Sequence, residues 1–252
     1  MALKITIAKV RHEGLLDALK LVPLVKRAHV VSIENAHATE DDALKLEQGY
    51  RDKFYSLNWS NRQIKAGKNI INGFVRDKLY DDGWSAIIIH YGKPIILAER
   101  HSPEESARSR ELYNKIKYQA EEILSLRRAG IIQRWNEEAM RLCYEAAKSM
   151  AYYIHVRDSN VVANMPTIEH RIIELYPHLA GTNPIEYLIE MGANHRLDQG
   201  LQSVPNAGIE VVNLSRSSPN RYTQIVAKIM SQNASFEECR ADIASFLRIS
   251  LR

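Results

Sequence analysis

The 252-residue sequence predicts an α/β fold, a largely parallel central sheet flanked by helices, with a helical insertion after the early strands. Three observations predict it. Short apolar runs, "HVVSI", "PIILA" and "EYLIEM", have the length and β-branched content of buried strands. Between them lie segments whose apolar residues recur at three- and four-residue spacing, and strands alternating with helices are the pattern of a parallel sheet. No internal repeat or low-complexity tract breaks the alternation, so the chain reads as a single α/β domain over 1–252, with residues 40–85 as an insertion or cap.

The elements follow in order. "MALKITIAKV" alternates apolar and polar positions and reads as a first strand at a sheet edge. "GLLDALKLVPLVKRA" places Leu15, Leu16, Leu19 and Val22 at helical spacing, with Pro23 limiting or kinking the helix. "HVVSI" is the second strand. Residues 38 to 66 carry charges at helical intervals and stop at Gly67, a C-cap candidate. "NIINGFVRDKLYDDGW" fits no element well, helix being the weaker reading of its Gly-interrupted middle. "SAIIIHYGKPIILAER" reads as two strands, or as one strand after a short helix end, divided by the turn signal "YGKP". Ser102-Pro103-Glu104-Glu105 starts a helix with a Ser cap, an early Pro and two carboxylates at the positive end of the dipole. The helical pattern then runs to about residue 165 with a break near Gly130, and Trp135, Ala139, Cys143, Ala146, Met150 and Ile154 form one apolar stripe. "PIEYLIEMGANH" and "GIEVVNLS" are late strands, and the C-terminal segment reads as one or two helices.

Composition narrows the function classes. The 34 basic residues are offset by 30 acidic ones in the same segments, so the formal charge of +4 gives no dense basic face for nucleic acid. Two cysteines, Cys143 and Cys239, cannot build a disulfide framework or a Cys-rich zinc site, and a reducing, cytoplasmic setting is the simplest expectation. Lys4, Lys9 and Arg11 interrupt the N-terminal apolar run, unlike a signal peptide, and no run approaches the roughly 20 residues of a membrane span. The expected partner is a small-molecule or peptide substrate, with no membrane and no nucleic acid; the sequence leaves a homo-oligomer open.

In open parallel sheets ligands bind beyond the carboxyl ends of the strands. "VVSI" ends at Glu34 with His37 three residues on, "PIILA" ends at Glu99, and "EYLIEMGAN" ends at His195. Taken singly, Glu34 suits a helix N-terminus and Glu99 a surface ion pair with Arg100. Together they put Glu or His at one expected edge. "HVRDSNVVANM" adds Arg157 and Asp158 three and four residues after Ile154, on or beside the core-facing side of a helix, where a charge must be paired or used. His90, His101, His155, His170 and His178 carry no signal that places them in the site.

These motifs, in this order over residues 30–195, resemble a superfamily that includes erythromycin esterase-like proteins, ChaN-like haem-associated lipoproteins, TraB/PrgY proteins and Tiki-type metalloproteases. The counterparts are "IENAH" with Glu34 and His37, "ILAER" with Glu99, "RDSNVVAN" with Arg157, Asp158 and Asn164, and "GANH" with Gly192 and His195. Ile33 stands where that group usually has Gly, and Val161 and Val162 replace a usual Met-Ala pair. The resemblance implies hydrolysis of an ester or peptide bond. His37 would be general base or metal ligand, Glu34 and Glu99 its orienters or co-ligands, His195 the second imidazole and Arg157 the electrostatic partner, with Asp158 and Asn164 secondary. If a divalent metal is used, His37, Glu34, Glu99 and His195 would hold it, and zinc, manganese or cobalt suits such ligands; haem is the alternative cofactor. The competing expectation is a binding or regulatory protein, taking haem, metal or peptide, that keeps the fold without turnover.

Overall fold

The computed structural model of the chain describes residues 2–10, 15–34, 38–56, 84, 87–88, 90–128, 136–192, 194–202, 204–205, 207–214 and 221–247. Its elements are β1 (Leu3–Val10), α1 (Leu15–Leu19), α2 (Val22–Arg27), β2 (Val30–Ser32), α3 (Glu40–Ser56), α4 (Pro103–Arg128), α5 (Asn136–Leu175), β3 (Ile185–Gly192), α6 (Leu197–Leu201), β4 (Ala207–Asn213), α7 (Arg221–Gln232) and α8 (Phe236–Leu247). They divide into two compact units: Met1–Ser102 with Asp158–Arg216, and Pro103–Arg157 with Ser217–Arg252.

The first unit carries the predicted α/β fold. Its four strands are all parallel, in the order β2-β3-β1-β4. Alternation within the strands splits the core. Leu3, Ile5 and Ile7 of β1 with Tyr187, Ile189 and Met191 of β3 face one way, onto Val161, Met165, Ile168 and Ile172 of α5 and Leu197 and Leu201 of α6. Ala8, Val10, Val31 and Leu188 face the other way, onto Ala18, Leu21 and Val25 of the α1–α2 region, Ala43 of α3, and Trp84, Ile87 and Ile88. Full burial of each such side chain stabilises by about 1.5–3 kcal/mol, which is why a sheet covered on both faces holds this register. The connection after β1 thus packs on one face, whereas α5, which leads into β3, and α6, which follows β3, pack on the other, so the topological switch lies between the carboxyl ends of the neighbouring strands β1 and β3.

Two expectations are corrected. β1 lies in the sheet interior, between β3 and β4, not at an edge. Its alternation looked like an edge because Lys4 and Thr6 are polar, but both are paired: Lys4 Nζ donates to Glu186 at 3.0 Å, and Arg27 donates to Thr6 Oγ1 at 3.2 Å. "PIILA" is not a regular strand. It runs parallel to β2 through a single bridge, Val31 with Ile95. Side chains take the next ladder positions, for the Leu97 N–H donates to the Glu47 carboxylate at 2.7 Å and the Ala98 N–H to Ser32 Oγ at 2.9 Å. Residues 40–56 of the stretch expected as an insertion form α3; "NIINGFVRDKLYDDGW" up to Gly83 and the Gly67 cap lie outside the described residues.

The second unit is helical. Helical structure predicted to about residue 165 continues in α5 to Leu175, with Pro166 inside it. Tyr144 of α5 donates to the Ala234 carbonyl at 2.9 Å, the Arg141 guanidinium lies 4.6 Å over the Phe236 ring, and Arg240 pairs with Glu137 at 3.0 Å. Cys143 and Cys239 are both buried and free, and burial pushes the Cys143 thiol up to about 12, leaving it unreactive as a nucleophile. Among the described residues no helix is long and apolar enough to cross a membrane.

Candidate functional site

The carboxyl ends of the neighbouring strands β2 and β3 build the site. After β3 the chain turns sharply, the His195 N–H donating to the Gly192 carbonyl at 3.1 Å, and this turn returns the imidazole over the strand end. Two residues after β2, Glu34 Oε2 accepts the Gly192 N–H at 3.2 Å. The same carboxylate presents Oε1 to His195 Nε2 at 3.6 Å, beyond hydrogen-bond range.

The other ring nitrogen is held from α5. Asp158 Oδ1 lies 2.5 Å from His195 Nδ1, and Asp158 Oδ2 accepts the Arg196 N–H at 2.7 Å. Both carboxylate oxygens are engaged, so this fully packed acid fixes the ring orientation and makes Nδ1 the protonated nitrogen. Burial opposes charge on His195, but the hydrogen bond to Asp158 and the negative charges of Asp158 and Glu34 outweigh it and raise its pKa from 6.5 to about 9. The imidazole is therefore protonated at neutral pH when nothing competes for Nε2.

A second imidazole–carboxylate pair sits at the end of the irregular "PIILA" segment. His101 Nε2 and Glu99 Oε1 are 2.8 Å apart, with both side chains almost fully enclosed. The backbone of His101 is tied to the entry of α3, donating to the Ala38 carbonyl at 3.0 Å and accepting the Glu40 N–H at 3.1 Å. α5 holds the preceding residues. Asn160 accepts the Arg100 N–H at 2.8 Å and donates to the Arg100 carbonyl, while Asn164 donates to the Ala98 and Arg100 carbonyls at 3.3 and 3.2 Å.

The structure thus brings Glu34, His195 and Asp158 together, joins Glu99 to His101, and uses Asn164 to hold backbone. Arg157 is buried on α5 with its guanidinium 5.4 Å over the Tyr153 ring, in the second unit. His37 lies outside the described residues. The sequence motifs make Asp158 secondary and give His101 no place in the site, yet both residues carry a signal. Asp158 precedes Val161, Met165, Ile168 and Ile172 by 3, 7, 10 and 14 positions, in line with a buried stripe where a carboxylate needs a partner. Glu99 and His101 are two apart in extended chain, which puts their side chains on the same side.

Two ligands of one tetrahedral ion stand about 3.4 Å apart when each bond is about 2.1 Å, close to the 3.6 Å between His195 Nε2 and Glu34 Oε1. The Asp158 contact to the other ring nitrogen is the outer partner that metal-binding histidines usually have. Among the described residues no group of three His, Cys, Asp or Glu is gathered for a metal. Comparison with family models, curated proteins and solved structures finds no match to this chain.

Proposed function

We propose that the chain is a hydrolase of ester or peptide bonds that works through Glu34 and His195 at the carboxyl ends of β2 and β3, as in the superfamily its motifs resemble. The observation that carries the reading is the division of His195: Nδ1 fixed by Asp158, Nε2 turned toward Glu34 at 3.6 Å. With its pKa at about 9, the imidazolium supplies a proton or stabilises a developing oxyanion, and is the wrong protonation state for a general base at pH 7. The base is then Glu34, whose side chain is 16% exposed where that of His195 is 4% exposed, so it meets water first. His195 and Glu34 fit a divalent ion, with His37, three positions after Glu34, as the further ligand the sequence offers; such an ion would supply Lewis acidity toward a carbonyl oxygen and toward water.

Two experiments test this. A panel of ester and peptide substrates is assayed with the parent and with Glu34→Gln, His195→Ala and His37→Ala; turnover is expected to drop by at least about a hundredfold in the first two. Equal turnover in parent and variants removes these residues from any mechanism. Calorimetric titration with zinc or manganese alone reads the metal question without activity. Binding through Nε2 expels the His195 proton, so affinity should fall about tenfold per pH unit below pH 9. Ile33, at the position where the resembled group has Gly, packs against the core. That favours the second reading, ligand binding without turnover, which predicts saturable metal binding with no hydrolysis.

A further inference from the structure

A buried charge cluster in the first unit takes no part in the steps above. Glu47 of α3 is fully buried, and its carboxylate accepts from Arg100 Nη2, from Arg171 Nη2 of α5, and from the Leu97 N–H at 2.7 Å. Arg171 Nη2 also donates to the Leu97 carbonyl at 3.2 Å. Guanidinium groups stay protonated in proteins, so two cations face one carboxylate and the cluster holds one positive charge in excess. Three of its buried donors, Arg100 Nε, Arg171 Nε and Arg171 Nη1, have no hydrogen-bond partner among the described residues. Burying an uncompensated charge with unsatisfied donors is among the costliest arrangements a core can contain. Burial in fact pushes the Glu47 carboxyl up in spite of both arginines, and pulls the Arg171 guanidinium down.

We propose that the Glu47, Arg100 and Arg171 cluster binds a small monovalent anion of the halide class, which accepts from an unpaired Arg171 N–H and cancels the excess charge. A single negative charge suffices for neutrality. The two arginine side chains are only 7% and 10% exposed, which suits a compact ion rather than a hydrated oxyanion. A neutral cluster would lock α3, residues 97–100 and α5 together, and so fix the segment that carries Glu99.

The test uses the full chain and chloride itself. Thermal unfolding is followed while sodium gluconate is replaced by sodium chloride at constant ionic strength. The midpoint should rise as the logarithm of one plus the ratio of chloride to its dissociation constant, reaching about 3 °C when chloride exceeds that constant about tenfold, with bromide equivalent and sulfate inert. Arg171→Met, which removes the excess charge and two donors, should abolish the rise. Glu47→Gln, which adds a positive charge, should lower the chloride concentration at which the rise sets in about tenfold. No chloride-specific rise in the parent, the same rise in Arg171→Met, or an unmoved onset in Glu47→Gln overturns the proposal. If neither variant folds, anomalous scattering from bromide-soaked parent crystals decides. Bromide within hydrogen-bond reach of Arg171 supports the site, and bromide elsewhere only overturns it.

Discussion

His195 and His101 are built from the same parts and end in different states. Each is a buried imidazole on a short segment after a parallel run, and each has a carboxylate on one ring nitrogen. His195 has a second carboxylate facing its other nitrogen, and that carboxylate, Glu34, reaches solvent. At His101 the other nitrogen, Nδ1, has no hydrogen-bond partner among the described residues, and Glu99 is 2% exposed. The difference teaches that an imidazole–carboxylate pair alone does not define a site. A charged group with access to water can exchange protons and ligands, whereas a sealed pair mainly fixes backbone.

The comparison can be broken most severely at Asp158. Asp158→Ala leaves the Arg196 N–H and His195 Nδ1 without acceptors in a buried setting, and should cost about 4 kcal/mol in urea unfolding. The His195 pKa, read by NMR, should fall at the same time, while the His101 ring signals stay in place. Movement of both rings would mean that the two pairs are one network.

The pH dependence is next in size. The folded-state pKa of His195 lies above its unfolded value, so its contribution is complete below pH 6.5 and is lost as pH rises through about 9. The rise corresponds to about 3 kcal/mol. Urea midpoints across that window should decline in the parent and stay flat in His195→Gln; parallel curves would show that other groups govern the alkaline loss.

Gly200 sharpens the contrast from the side of α6. A Cβ there would approach Val162 Cγ2 to 2.6 Å, wedging the helix that follows His195 away from the turn of α5 that follows Asp158. Gly200→Ala should cost about 2 kcal/mol and shift the His195 signals but not those of His101. The smallest effect is expected at the entry to α3, where the Asp42 N–H donates to Thr39 Oγ1 at 3.2 Å beside the bridge from Thr39 to His101. Thr39→Ala should cost about 1 kcal/mol and move His101 alone.

Particular residues show how far the sequence could be read. The strands β2 and β3 were legible because burial on both faces selects apolar runs, and Glu34, Glu99 and His195 stood out because polar residues follow such runs. β1 was misplaced because Lys4 and Thr6 find partners on neighbouring elements far away in sequence, which no local pattern reveals. The irregularity of residues 95–98 depends on Glu47 and Ser32 supplying acceptors from elsewhere in the chain.

By itself, then, the sequence determined the class of fold and the edge of the sheet at which acids and imidazoles collect, because periodicity and strand-end chemistry are local properties of the chain. Only the tertiary structure decided which carboxylate serves which imidazole. Asp158 lies 37 residues before His195 in the chain and meets it at 2.5 Å, and that pairing depends on where a 40-residue helix crosses a sheet. Charge state follows from that pairing, since the same imidazole, left without Asp158 and Glu34, would be driven toward neutrality by burial alone.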